Sequence, residues 1–251
     1  MRRRFFVEKF QANNLAELRG EAAEHLGRVL RAEPGQLYEL SDGQSVWLAR
    51  VENVALTKRG ESRVEFALVE ALPAREPSLR IQLLISLVKF DRFEWCLEKA
   101  TEMGATEIIP LAAARSDKAL VGAAGKRHTR WERILLESAQ QARRLRPPVM
   151  REVTDSQKAF DAADAPLKIF LSEREDAPAI RKTLGPDADA AVHGQPASVA
   201  LAIGPEGGWT DDEIAAARAA GFMEASLGEN ILRTETAVIA ALSLMRFVIG
   251  D

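Results

Sequence analysis

Ser198-Val199-Ala200-Leu201-Ala202-Ile203-Gly204-Pro205-Glu206-Gly207-Gly208-Trp209-Thr210-Asp211-Asp212-Glu213 joins a buried strand, a sharp turn and the head of a helix without a spacer. Residues 198–203 are nearly all apolar, which suits a strand of a parallel sheet covered on both faces. Gly204, Gly207 and Gly208 permit positive φ and close approach of a ligand to the backbone, while Pro205 stiffens the turn. Thr210 and Glu213 match a capping box opening the next helix. An open α/β domain follows, with its ligand site at the carboxyl ends of the strands. A glycine-rich turn feeding a helix also builds dinucleotide sites. Here, however, the GxGxxG order is missing, which weakens a nucleotide-dependent oxidoreductase. There is no GxxxxGK[ST] either, so a P-loop is unsupported.

Working outward, strands and helices alternate through the rest of this half. Strands are predicted at 79–88, 107–111, 167–172, 198–203 and 225–227, and helices at 91–103, 130–145, 156–163, 176–184, 211–220 and 235–248. Residues 185–197, with Pro186, Gly194 and Pro196, are expected to form a mobile loop. Phe90, Phe93, Trp95, Leu97 and Ala100 are expected to include the buried face of their helix, and Trp131 to be core. Trp209 beside the glycines can stack on a base or pack in the core.

Before the linker Pro73-Ala74-Arg75-Glu76-Pro77, the texture is mainly β. Leu18, Ala22, Leu26, Val29 and Leu30 have helical spacing that ends at Glu33-Pro34-Gly35. Runs 36–40 and 45–54 flank the turn Ser41-Asp42-Gly43 as a hairpin, and 63–72 is a further strand. The expected organisation is a small β unit at 1–72, a linker at 73–78 and an α/β domain at 79–251.

The chain has 251 residues, 47% of them hydrophobic, enough for a sizeable core in one or two domains. Its single cysteine, Cys96, excludes an internal disulfide and a multi-cysteine zinc site, and no metal site is expected. The start, MRRRFFVEKF, reaches Glu8 and Lys9 before any long apolar stretch, and no later run is long enough to span a bilayer. The expectation is a soluble, cytoplasmic protein with no membrane partner. A net charge of −3 argues against coating nucleic acid through bulk charge. Locally, Lys126, Arg127, Arg130, Arg133, Arg143, Arg144, Arg146 and Arg151 face only Glu132 and Glu137, and Arg2, Arg3 and Arg4 form a second cluster. Such runs are often a solvated helix face, but two of them in an acidic chain favour a phosphate-facing surface.

A second chemistry-bearing stretch, Leu227-Gly228-Glu229-Asn230-Ile231-Leu232-Arg233-Thr234-Glu235-Thr236-Ala237, puts a polar loop directly before the last helix. Taken alone, ordinary capping by Thr234, with Glu235 near the helix dipole, accounts for it. Together with Gly204–Thr210, in this order and one helix apart, it resembles the RsmE-type 16S rRNA (uracil-N3) methyltransferases of the SPOUT superfamily. Lys89, Glu98-Lys99-Ala100-Thr101-Glu102, Gly104, Ile108-Ile109-Pro110-Leu111 and Arg115-Ser116 are similar to the start of that family's catalytic domain. Gln141, Arg144 and Pro148 resemble its central signature, and His25, Leu30-Arg31 and Asp42-Gly43 its N-terminal pattern. The chain departs from the family at Asn230, where arginine is common, and at Ser138 and Gln140, which replace alanine and glutamate.

The resemblance implies an N-terminal PUA/OB-like β-barrel that helps hold RNA and a C-terminal SPOUT α/β domain with a parallel sheet and a trefoil knot. It implies S-adenosylmethionine (SAM) as cofactor, 16S rRNA within the small ribosomal subunit as partner, and a homodimer. Carried over, the cofactor loops are Leu171-Ser172-Glu173, then Ile203, Gly204, Pro205, Glu206, Gly207 and Gly208, then Leu227, Gly228, Asn230, Ile231 and Leu232, with Thr236. Expected RNA contacts are Arg2, Arg3, Arg4, Arg31, Lys89, Arg115, Arg143, Arg144 and Arg146. Uracil N3 carries a proton, so the site must remove it or stabilise the ring anion. Arg233 is the preferred anion stabiliser, a phosphate tether being its other reading. Glu206 and Glu235 are the candidate carboxylates, and the general base stays open between them and water. Other outcomes are a SPOUT methyltransferase acting elsewhere on RNA, or a catalytically silent RNA-binding adaptor.

Overall fold

The computed structural model describes residues 3–57, 61–184 and 197–249. Arg2 and residues 185–196 of the expected mobile loop lie outside the described residues. Contacts divide the chain into two compact units, Met1–Glu76 with Ala139–Pro147, and Pro77–Ser138 with Pro148–Asp251.

The first unit holds β1 (Arg4–Phe6), β2 (Leu15–Arg19), α1 (Gly20–Glu24), β3 (Leu37–Ser41), β4 (Val46–Ala55) and β5 (Arg63–Leu72), with a π-helical turn at His25–Val29. The strand order is β1-β3-β4-β5-β2. Only the β1–β3 pair is parallel. The apolar spacing from Leu18 predicted one helix; it forms from Gly20 to Val29 as α1 and the π-helical turn, while Leu18 and Arg19 belong to β2. Leu18 pairs with Val64 on β5, and Gly20, at φ +59, turns the chain into α1. Leu18, Ala23 and Leu26 are buried, whereas Val29 is 65% exposed. The predicted hairpin forms: Asp42 Oδ1 accepts from the N–H groups of Gln44 (2.9 Å) and Ser45 (2.7 Å), locking the β3–β4 turn.

The second unit alternates strand and helix: β6 (Leu79–Ser86), α2 (Phe90–Glu102), β7 (Glu107–Ala112), α3 (Lys118–Ala124), α4 (His128–Gln141), β8 (Val149–Met150), β9 (Thr154–Asp155), α5 (Ser156–Ala162), β10 (Leu167–Leu171), α6 (Ile180–Leu184), β11 (Ala197–Ile203), α7 (Asp211–Ala219), β12 (Met223–Ala225) and α8 (Thr234–Ile249). The sheet order is β12-β10-β11-β6-β7-β8, with β9 also on β7. Every pair is parallel. Side chains alternate between two cores, as a strand period of two requires. Leu83, Ile85, Ile169, Val199, Leu201 and Ile203 pack with Phe93, Leu97, Trp131, Val238 and Leu242 on one face. Leu84, Phe170, Ala200 and Ala202 pack with Phe160, Trp209, Ile214 and Phe222 on the other. Trp131 is thus core, as expected, tilted against Phe93 at 4.8 Å between ring centroids. Trp95 is 41% exposed and lies off the buried face of α2.

Periodicity missed α3, β8 and β9, which are too short to show a period. It also began α6 too early: Pro178 accepts from the Ser226 N–H and Ile180 donates to the Ser226 carbonyl, both at 2.8 Å. These residues therefore continue the sheet margin rather than a helix. Among the described residues, no helix is long and apolar enough to cross a membrane.

Candidate active site

β12, β10 and β11 are neighbours, and being parallel they release their following loops at the same end of the sheet. The loops after Leu171, Ile203 and Ala225 surround a cavity of about 310 Å³. This is the place that strand polarity assigns to ligands.

Close packing fixes the glycine turn. Trp209 is buried, and its indole N–H donates to the Leu171 carbonyl at 2.8 Å, tying the β11 loop to the end of β10. Its ring packs edge-on to Phe160. It also stands 3.0 Å from where a Cβ on Gly204 would lie, so that glycine is required for close approach. Of the two readings of Trp209, packing is the one the structure supports. Gly208 has φ +68, and its N–H donates to the Pro205 carbonyl at 2.9 Å. The expected capping box is formed: Thr210 accepts from the Glu213 N–H while the Glu213 carboxylate accepts from Thr210.

Of the residues expected at the cofactor, all but Gly207 and Thr236 line the cavity. The Gly207 carbonyl accepts from Arg115 Nη1 at 2.7 Å, and Thr236 lies on the exposed side of α8. Arg115, Arg174, Trp209, Ser226 and Arg233 complete much of the wall. Sequence reasoning assigned Arg115 to RNA, and no local signal linked it to residues some 90 positions away. Thr234 is the first residue of α8 rather than its cap. It is buried, with its hydroxyl 3.5 Å from the Gly204 carbonyl, so it joins the two motif loops.

The candidate catalytic residues separate. Arg233 is exposed on the cavity wall, and Glu206 lies there too, 3.3 Å from Arg92 of α2. Glu235 is outside the lining, half-buried in the first turn of α8. Burial, followed by the Glu235 and then the Glu206 carboxylate, pushes the Cys96 thiol up to about 12. Cys96 is fully buried in the core and does not line the cavity. Among the described residues, no group of three or more His, Cys, Asp or Glu could hold a metal ion.

Several of the arginines expected at RNA have intramolecular partners in the first unit. The carboxylate of Glu39, itself only 8% exposed, accepts from Arg4 at 2.9 Å and from Arg143. Arg4 also donates to the Arg143 carbonyl at 2.6 Å. Arg146 donates to the Gly43 carbonyl at 2.8 Å and pairs with Glu76. Arg3 Nη1 lies 3.2 Å from His25 Nε2. Arg31, at φ +51, and Lys89, just before α2, are exposed.

The parallel α/β sheet with a cavity at its carboxyl edge belongs to an RNA methyltransferase: residues 75–246 match the RNA methyltransferase domain family. A ribosomal RNA small subunit methyltransferase E of Synechocystis is 35% identical over 87% of this chain and 68% of its own length. The structure of a ribosomal RNA small subunit methyltransferase E from Neisseria gonorrhoeae, bound to S-adenosyl methionine, superposes with a TM-score of 0.82. It has 28% identity and covers 99% of this chain and 98% of its own. A Legionella pneumophila structure in complex with bound SAM gives 0.82 at 31% identity, covering 98% of both chains. The chain belongs to the ribosomal RNA small subunit methyltransferase E family.

Proposed function

We propose that this protein transfers the methyl group of SAM to N3 of a specific uridine in 16S rRNA, in the cytoplasm, as a homodimer acting on the small ribosomal subunit. The observation that carries this reading is the convergence of the loops after β10, β11 and β12 on one cavity at the carboxyl edge of a parallel sheet. The wall chemistry fits the cofactor. Leu171, Ile203, Leu227 and Leu232 offer apolar surface for a purine, backbone groups of three loops offer donors and acceptors, and Glu173 offers an acceptor for an ammonium. Bound there, SAM supplies an electrophilic methyl group for in-line displacement.

The chain's own residues must then orient uracil and manage its N3 proton. Arg233, on the wall and permanently charged, can present paired donors to a uracil carbonyl and stabilise the ring anion. Glu206, on the same wall and beside Arg92, is better situated than Glu235 to accept the proton directly or through water. Arg31 and Lys89, both exposed, can meet phosphate.

A trefoil knot in the second unit is consistent with the order β12-β10-β11-β6 and with the loop after β12 entering the same cavity as the β10 and β11 loops. A PUA/OB-like barrel is consistent with the five-stranded sheet of the first unit around Phe5, Leu26, Leu40, Val51 and Phe66. The homodimer is supported by α8, which buries Val238, Leu242 and Met245 yet leaves Phe247 88% exposed. Mass mapping of 16S rRNA from a strain lacking the protein tests the reaction: one uridine should lose a methyl group at N3. An unchanged map rejects the proposal, and a monomer mass by light scattering at micromolar concentration rejects the dimer.

A further inference from the structure

The geometry points to Arg115 as a positioning residue for the cofactor, a strut that fixes the orientation of the Gly207–Gly208 peptide. This rests on the SAM reading of the cavity and names the device that shapes its wall. A peptide unit flanked by two glycines is the one in the turn most free to flip, because neither neighbour has a Cβ to resist it. Here both of its polar groups are held. The Gly207 carbonyl accepts from Arg115 Nη1 at 2.7 Å, and the Gly208 N–H donates to the Pro205 carbonyl at 2.9 Å. The aliphatic stem of Arg115 also packs on the turn, with its Cβ and Cδ 3.3 and 3.4 Å from where a Gly207 Cβ would lie. On the other side, Glu173 Oε1 is 2.7 Å from the Cβ position of Gly208.

A strut needs its own footing, and the loop after β7 supplies it. The Ala114 N–H donates to Glu213 Oε1 at 2.9 Å, and Ser116 Oγ donates to the Leu87 carbonyl at 3.1 Å. Asp117 caps α3 through the Ala119 N–H at 2.7 Å. Glu213 accepts in addition from Ser156 Oγ (2.9 Å) and the Thr210 N–H (3.0 Å). One carboxylate therefore joins the β7 loop, the head of α5 and the head of α7, and Arg115 carries that rigidity to the glycine turn. The guanidinium that sequence alone assigns to RNA is engaged on the Gly207 carbonyl, between the lining residues Glu206 and Gly208.

The test compares wild type, Arg115→Met, which keeps the stem but has no donor, and Arg115→Lys, which restores a cationic donor. Calorimetric titration with SAM and with 5′-methylthioadenosine, which lacks the carboxylate and ammonium of SAM, is run beside RNA binding over a salt series. Loss of one exposed charge-assisted bond should weaken both ligands by the same factor, about three- to tenfold. Arg115→Lys should recover part of it, the KM for SAM should rise while kcat at saturation holds, and the salt slope for RNA should stay put. Unchanged SAM affinity in a folded Arg115→Met protein overturns the inference. So does a salt slope shallower by about 0.7–0.9 with normal SAM affinity, which returns Arg115 to a phosphate. Weakening confined to SAM overturns it as well, in favour of direct contact with the amino-acid end. Should Arg115→Met fail to fold, Gly207→Ala, whose methyl presses the Arg115 stem, must weaken both ligands, and normal affinity there is equally fatal. If wild type itself binds no SAM, it is the function that fails rather than the strut.

Discussion

Replacing Glu213 by alanine tests how the second unit is braced, because the contacts of that carboxylate can be assessed one by one. Its Oε2 accepts from the Thr210 N–H and hydroxyl at 3.0 and 3.1 Å, the reciprocal half of the capping box, worth about 0.5–1 kcal/mol. Its Oε1 accepts from Ser156 Oγ at 2.9 Å, and Ser156 is only 2% exposed, so the stranded hydroxyl costs about 1–2 kcal/mol. Ala114 is exposed, so its N–H rehydrates and adds about 0.5 kcal/mol. Together, Glu213→Ala should destabilise the second unit by about 2–3.5 kcal/mol. Glu213→Gln, which keeps an acceptor toward Ser156 and Ala114, should retain more than half of that. Urea unfolding followed by tryptophan fluorescence in a Trp47→Phe background reads this unit, since the other three tryptophans, Trp95, Trp131 and Trp209, all lie in it. A loss under about 1 kcal/mol, or a glutamine variant as unstable as the alanine one, refutes the bracing role.

Three further outcomes are expected. Arg143→Ala removes one of the cations paired with the buried Glu39 and should destabilise the first unit by about 1–3 kcal/mol in urea; an effect indistinguishable from zero makes the pair incidental. Arg233→Ala should lower the single-turnover methylation rate at saturating RNA while RNA affinity changes little, whereas recovery of the full rate at saturation would make Arg233 a phosphate tether. Cys96, its thiol pushed up to about 12, leaves only about one thiol in ten thousand ionised at pH 8; iodoacetamide should therefore label it only after denaturation, and rapid labelling of the folded protein contradicts its burial.

The α/β half was legible because its strands are buried on both faces and announce themselves by composition alone. The run 198–203 became β11 with one residue added at its start, and the predicted strand at 107–111 became β7 with one added at its end. The hairpin at Asp42-Gly43 and the capping box at Thr210 and Glu213 were legible for a different reason: each is closed by residues within four positions, so local chemistry specifies it. The helix read from Leu18 forms from Gly20 to Val29 as α1 and the π-helical turn, and only its start was misplaced, because an apolar period of three or four does not separate the end of a strand from the first turn of a helix. What decided the matter was the ladder from Leu18 to Val64.

The sequence by itself determined the class of fold and most of its longer strands and helices, because apolar period, glycine and proline placement and capping are properties of neighbouring residues. Only the tertiary structure decided which charges are available. Arg143 pairs with Glu39 across 104 positions and Arg115 reaches Gly207 across 92, and no local pattern encodes partners so far apart. An arginine in the sequence is a charge looking for a partner, and the fold alone sets whether that partner is a phosphate, a buried carboxylate or a backbone carbonyl.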